Sequence, residues 1–113
     1  MNIDYLAGLV DGEGHIRLCP SNKGKYRKYY PQIQITNTYK PLLELITTIY
    51  GGSILGPKRS KNATKDCWDW RLSGDKARQL LKQLLPILII KQEKANYVLL
   101  NDQKIKVRNA IYR

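Results

Sequence analysis

Twice along this chain a helical spacing of apolar residues gives way to two stretches in which apolar and polar side chains alternate one for one. Residues 2–12 carry Leu6, Leu9 and Val10 on one side, with Asn2 or Asp4 placed to cap the start and Gly12 to end it. Residues 15–19 then alternate, Ile16 and Leu18 against His15, Arg17 and Cys19. Residues 30–36 alternate again, Ile33 and Ile35 against Gln32, Gln34 and Thr36, and the turn cluster at 20–24 joins the two strands. A second helix is expected from about 39 to 50, with Leu42, Leu43, Leu45, Ile46 and Ile49 inward and Pro41 admissible only near its first turn. Residues 53–55 and 67–72 make a second strand pair around a basic loop, with Trp68, Trp70 and Leu72 on one face. Ser73, or less well Asp75, opens a third helix reaching about 85, cored by Leu80, Leu81, Leu84 and Leu85 and broken by Pro86. A last helix starts near Lys91 or Gln92 and uses Ala95, Val98 and Leu99. The repeated helix–strand–strand order predicts an α+β fold, αββαββα, with a four-stranded antiparallel sheet and helices on one face. It occupies a single domain over 1–103, followed by a basic tail at 104–113 that is either a short helix or an arm ordered on binding.

Charge narrows the partner. Lys and Arg number 20 against 9 Asp and Glu, a formal net charge of +11. From Arg17 to Lys40 six basic residues occur with no acid, four more lie between Lys58 and Lys65, and the last ten residues add four without an acid. Three such blocks in one short domain favour a polyanion, nucleic acid foremost. A membrane surface fits less well, because no basic block shares a helix with an apolar face. The longest apolar run, 84–90, is seven residues broken by Pro86, against the roughly 20 needed to span a bilayer. The first residues lack the basic flank of a signal peptide. Cys19, Cys67 and the lone His15 are too few and too scattered for a zinc cage, so the thiols read as reduced and the protein as intracellular.

The polar strand faces carry Arg17, Lys28, Tyr30, Gln32, Gln34, Thr36, Asp69 and Arg71. These are types that read base edges, Arg with guanine, Gln with adenine and Asp with cytosine, and a β-ribbon fits the major groove. Any half-solvated sheet shows the same alternation. Tyr26, Tyr29, Tyr30, Trp68 and Trp70 could instead stack on RNA bases, although Trp68 and Trp70 share the core-like face of Leu72.

The first helix holds the sharper signal. Gly8 and Gly12 lie four apart beside Ala7, a spacing that lets two helix backbones approach closely. Asp11 and Glu13 stand at the helix C-terminus, where partial negative charge already gathers, so they serve helix stability poorly and a hard cation well. By composition alone Asp-Gly-Glu-Gly is more often a turn.

Residues 6–14, Leu-Ala-Gly-Leu-Val-Asp-Gly-Glu-Gly, resemble the nine-residue signature of the LAGLIDADG homing endonucleases, with Val10, Gly12 and Glu13 as variants of it. Residues 69–73 with the leucine-rich helix after them are similar to the family's fourth strand and third helix. Residues 85–92, with Lys94, Ala95 and Asn96, are similar to its lysine segment and last helix. The resemblance implies a site-specific double-strand DNA endonuclease whose two signature helices pack side by side. With one signature, this chain is expected to form a homodimer through Leu6, Ala7, Gly8, Asp11 and Gly12, with Leu6, Leu9 and Val10 serving the subunit core. The implied chemistry is metal-assisted hydrolysis, with Glu13 of each subunit and Gly12 beside it at Mg²⁺, and Mn²⁺ or Ca²⁺ able to substitute for binding. Lys91 and Asn37 complete the implied catalytic set, while Asp11 braces the helix end. The implied DNA contacts are Arg17, Cys19, Lys25, Arg27, Lys28, Tyr30, Gln32, Gln34, Thr36 and Lys40, then Lys58, Arg59, Lys61 and Lys65 from the loop, and Asp69 and Arg71. The resemblance also implies intron homing, with mitochondrion or chloroplast among the compartments. Two alternatives stand beside it: an intron maturase that binds RNA, and a DNA-binding protein that does not cleave.

Overall fold

Asn2 opens the first helix as its residue type suggests, its side-chain oxygen accepting from the backbone N–H of Tyr5 at 2.9 Å. In the computed structural model, which describes residues 1–21, 26–59, 61–62, 64–103 and 105–107, this helix α1 runs Ile3–Glu13. It ends at Gly14 rather than at the expected Gly12, the Gly14 N–H donating to the Val10 carbonyl. A Cβ at Gly14 would lie 2.8 Å from the Val10 Cα, so a side chain has no room where the chain leaves the helix directly as a strand.

Strand β1 (Gly14–Pro20) pairs antiparallel with β2 (Tyr26–Asn37), from Gly14 opposite Ile35 to Pro20 opposite Tyr29. Helix α2 (Lys40–Tyr50) carries Pro41 in its first turn, where the ring costs no hydrogen bond. Strands β3 (Ser53–Lys58) and β4 (Cys67–Ser73) follow, then helices α3 (Asp75–Leu84) and α4 (Gln92–Asn101) and a short strand β5 (Ile105–Val107). The sheet order is β1-β2-β4-β3, all neighbours antiparallel, and β5 pairs with the Tyr26–Lys28 end of β2. The start of the tail is thus neither helix nor free arm but an added strand.

The core lies between the sheet and the helices. Ile16, Ile33, Ile35, Trp70 and Leu72 from the strands meet Leu6, Ala7, Val10, Leu43, Ile46, Leu81, Leu84 and Val98 from the helices, all buried. Three expectations need correction. Leu45 and Ile49 are each 44% exposed, because a helix lying on a sheet buries one stripe and five apolar residues in three turns overfill it. Ser73 does not cap α3; it is the last residue of β4, and Gly74 (φ +74°) holds the cap position without a side-chain bond. Trp70 is no stacking platform, since it is fully buried with its indole N–H donating to the Gly51 carbonyl at 2.8 Å. No helix among the described residues is long and apolar enough to cross a membrane.

Candidate active site and nucleic-acid interface

The C-terminal end of α1 gathers the chemistry-bearing groups. Glu13, the last residue of the helix, projects an exposed carboxylate whose Oε2 accepts from Asn37 Nδ2 at 3.1 Å. Asn37 ends β2, and its Oδ1 accepts from the Tyr39 backbone N–H at 2.8 Å, which fixes the amide with its NH2 toward Glu13. Two residues earlier, Asp11 turns the other way. Its carboxylate accepts from the backbone N–H groups of Ile89 (2.8 Å) and Lys91 (3.0 Å), and Lys91 Nζ returns a bond to the Asp11 carbonyl at 2.6 Å. Burial opposes ionisation of Asp11, but the amide donors of Ile89, Lys91 and Ile90 and the Lys91 charge outweigh it and lower its pKa. The brace expected of Asp11 is therefore found: it ties α1 to the turn that opens α4. The same clasp sets the Lys91 ammonium against a terminal carbonyl of α1, where the helix dipole favours positive charge.

The sheet face away from the helices is polar and pre-ordered. Arg17 Nη2 donates to the side-chain oxygens of Gln32 (2.6 Å) and Gln34 (2.5 Å), and Gln32 Nε2 donates to Ser73 Oγ at 3.1 Å. Asp69 lies on this face but is only 2% exposed. Its carboxylate accepts from Thr36 Oγ1 (2.5 Å), Lys58 Nζ (2.6 Å) and Arg71 Nη2 (3.5 Å). Desolvation pushes its pKa up, yet the bonds from Lys58 and Thr36 and the charges of Lys58 and Arg71 prevail and hold it below the usual carboxylate value. Asp69 therefore orders its basic neighbours rather than presenting an acceptor to a ligand.

No protein-family model and no curated protein matches the sequence. Solved structures do. A crystal structure of the homing endonuclease I-CvuI in complex with an uncleaved DNA target superposes with a TM-score of 0.67 at 24% identity, over 87% of this chain and 63% of that one. The archaeal intron-encoded homing endonuclease I-Vdi141I complexed with DNA gives 0.66 at 17% identity, covering 85% and 63%. The LAGLIDADG meganuclease I-CpaMI bound to uncleaved DNA gives 0.66 at 20%, covering 87% of this chain and 34% of that one. This is the LAGLIDADG homing-endonuclease fold. The chain spans 63% of the length of the first two of these relatives.

Within the LAGLIDADG fold, the signature helix α1 splits its residues between two faces. Leu6 and Ala7 are 0% and 2% exposed, packed into the protomer's own core, so they are not available to a partner as expected. Asp11 is likewise engaged within the protomer. Gly8 and Gly12 stand exposed, and a Cβ built on either meets nothing within 4 Å. They border an open cleft of about 530 Å³ lined by Asp4, Tyr5, Gly8, Leu9, Gly12, Glu13, Asn37 and Leu42.

The sheet of the LAGLIDADG fold collects Arg17, Cys19, Lys28, Tyr30, Gln32, Gln34, Thr36 and Arg71 on one face, as the alternation predicts. Lys58 joins them through Asp69. Arg59 pairs with Asp66 across the basic loop at 3.1 Å, and Lys61 and Lys65 are exposed beside it. Lys40 is not brought to this face; its ammonium lies 5.8 Å over the ring of Trp68, which packs on the helix side. Lys25 and the side chain of Arg27 lie outside the described residues. Two residues were missed by sequence reasoning. His15 stands opposite Gln34 in the cross-strand row, and Ser73 closes the Arg17–Gln32 network. His15 was legible from its alternation with Arg17, whereas Ser73 was hidden by its resemblance to a helix cap.

Proposed function

We propose that the protein is a site-specific double-strand DNA endonuclease that acts as a homodimer with a divalent metal. The observation that carries this reading is the placement of an exposed Glu13, paired with Asn37, at the end of a helix whose glycine face is open. Apposing two copies of α1 through Gly8 and Gly12 brings two Glu13 carboxylates toward a common axis. A second Glu13 from the partner copy would give the site two carboxylates, the hard oxygen donors that Mg²⁺ takes. Glu13 fits the role, since its hydrogen-bond partner among the described residues is one neutral amide on Oε2. The coverage of about a third of the I-CpaMI chain supports the same reading, leaving room there for a second unit of this size.

In the mechanism, Glu13 and the adjacent Gly12 would hold Mg²⁺, which when bound would supply Lewis acidity to the scissile phosphate and to water. Asn37 keeps the Glu13 carboxylate aimed by donating to Oε2. Lys91, held on the Asp11 carbonyl, supplies positive charge near the phosphate, where charge develops as the bond breaks. The cationic sheet holds the duplex. Its longest strand, β2, has 12 residues and spans roughly 40 Å at ~3.3 Å per residue, about one turn of DNA.

The test is incubation of a randomised duplex library with the protein and Mg²⁺, followed by sequencing of the ends. Defined ends at a partly two-fold site are expected. Recovery of bound duplex with no ends would favour the non-cleaving reading, and enrichment only from structured RNA would favour the maturase. The Glu13→Gln variant is expected to retain duplex affinity within about threefold while losing at least ~10³-fold in cutting rate, the scale of removing a group that acts in the transition state.

A further inference from the structure

The hydrogen-bonding character of the central sheet face is one-sided. Arg17 has donors and no acceptor, so the oxygens of both Gln32 and Gln34 must face it, and their NH2 groups must face away. The Gln32 NH2 engages Ser73 Oγ as acceptor, which leaves the Ser73 hydroxyl hydrogen to give. The Gln34 NH2 has no partner among the described residues. One strand over, Asp69 takes Thr36, Lys58 and Arg71, so the only carboxylate on this strip is consumed. Donors are in such surplus that Arg71 Nε is buried with no acceptor at all among the described residues.

We propose that the strip formed by Arg17, Gln34, Ser73, Arg71 and Lys58 presents donors in excess of acceptors and therefore reads guanine edges, with Asp69 as the positioning residue that keeps it so. The proposal rests on the nuclease reading and specifies what that nuclease recognises. In the major groove guanine offers two adjacent acceptors, N7 and O6, whereas adenine pairs its N7 with an N6 donor, thymine offers the single acceptor O4 beside a methyl group, and cytosine offers a donor alone. A bidentate glutamine–adenine contact needs the amide oxygens that Arg17 holds. An aspartate–cytosine contact needs the carboxylate that Lys58 and Thr36 occupy. Of the three pairings the sequence suggested, only arginine with guanine remains open. The network persists on binding, because a buried carboxylate stripped of its partners is strongly unfavourable.

The test is selection of bound duplexes from a randomised library with the full chain and Ca²⁺, followed by interference mapping with guanine N7 methylation. A run of guanines on one strand of each half-site is expected, with methylation there weakening binding at least about tenfold. Asp69→Asn is expected to flatten the preference at those positions about tenfold while keeping or raising affinity for random-sequence duplex. Gln34→Glu, an isosteric change that can still pair with Arg17 but turns an acceptor outward, is expected to switch one position from guanine to cytosine; it serves as the test where Asp69→Asn fails to fold. A defined site with adenine, thymine or cytosine at the protected positions overturns this proposal alone. So does an unchanged recovered motif in Asp69→Asn with a lowered melting temperature, which makes Asp69 merely structural. Enrichment of no duplex at all overturns the nuclease reading, and this proposal falls with it.

Discussion

Asp11 and Glu13 stand two residues apart at one helix end and face different tasks. Asp11 is consumed by backbone donors of the 89–91 turn, while Glu13 keeps an oxygen free of partners among the described residues. Because the folded pKa of Asp11 lies below its ordinary 3.8, its contribution is fully present above that value and is lost as the pH falls through the lower folded value. Asp11→Asn is therefore expected to cost about 1 kcal/mol near pH 6, the scale of losing a helix-end cap. The gap to the parent protein should narrow in urea titrations repeated as the pH falls below 3.8, and a gap independent of pH would refute the charge-based account. Helix-end electrostatics alone offered both acids to a cation; the division was legible only through the resemblance of residues 6–14 to the family signature, which implied that Asp11 braces the helix end. Asp69 was less legible. Alternation assigned it to the polar face, but depth on that face is set by neighbours, and β4 lies between β2 and β3 with Thr36, Lys58 and Arg71 closing over the carboxylate.

At the scale of elements, the tight corners are where side chains have no room. Gly52 has φ +94°, and a Cβ there would lie 2.6 Å from the Arg71 carbonyl and 2.7 Å from the Trp70 indole nitrogen. Gly52→Ala is expected to destabilise the fold by at least about 2 kcal/mol, combining backbone strain with a displaced core tryptophan. Thermal unfolding followed by tryptophan fluorescence measures it. Gly8 is the opposite case. Its site is helical and open, so Gly8→Ala is expected to stabilise the protomer by about 0.5–1 kcal/mol, the gain of alanine over glycine in a helix. The alternating strands were legible in the sequence because one face of each is buried. The first residues of β2 and all of β5 were not: Tyr26–Lys28 does not alternate, and a three-residue strand acquires meaning only from its partner on β2. Helix α2 was overcounted for a related reason, since apolar content tells how greasy a helix is but not how wide the surface beneath it is.

For the whole molecule, the exposed glycine face and the charge act together. In the proposed dimer two copies would carry a net +22, so duplex affinity is expected to fall by about 10³-fold or more between 50 and 200 mM salt, as for proteins with six or more phosphate contacts. A weak salt dependence would point away from a phosphate-dominated interface. Gly8→Leu separates association from folding. It should leave chemical unfolding of the protomer nearly unchanged while shifting the sedimentation coefficient to that of a monomer, and a variant that remains dimeric would move the interface elsewhere. The element order was readable from one chain, and so was the small-residue spacing at Gly8 and Gly12; the inward turn of Leu6 and Ala7 on the same helix was not, because spacing alone does not say which stripe the sheet covers. The clasp at Asp11 has a consequence in time as well as in space. Its partners lie 78 and 80 residues further along the chain. A growing or truncated polypeptide that stops short of residue 88 already possesses Glu13, Asn37 and strands β1 to β4. It lacks the latch that fixes the end of the signature helix and seats Lys91. The C-terminal end of α1 is thus expected to be the last part of that helix to settle, since the donors that hold Asp11 are among the last to be made.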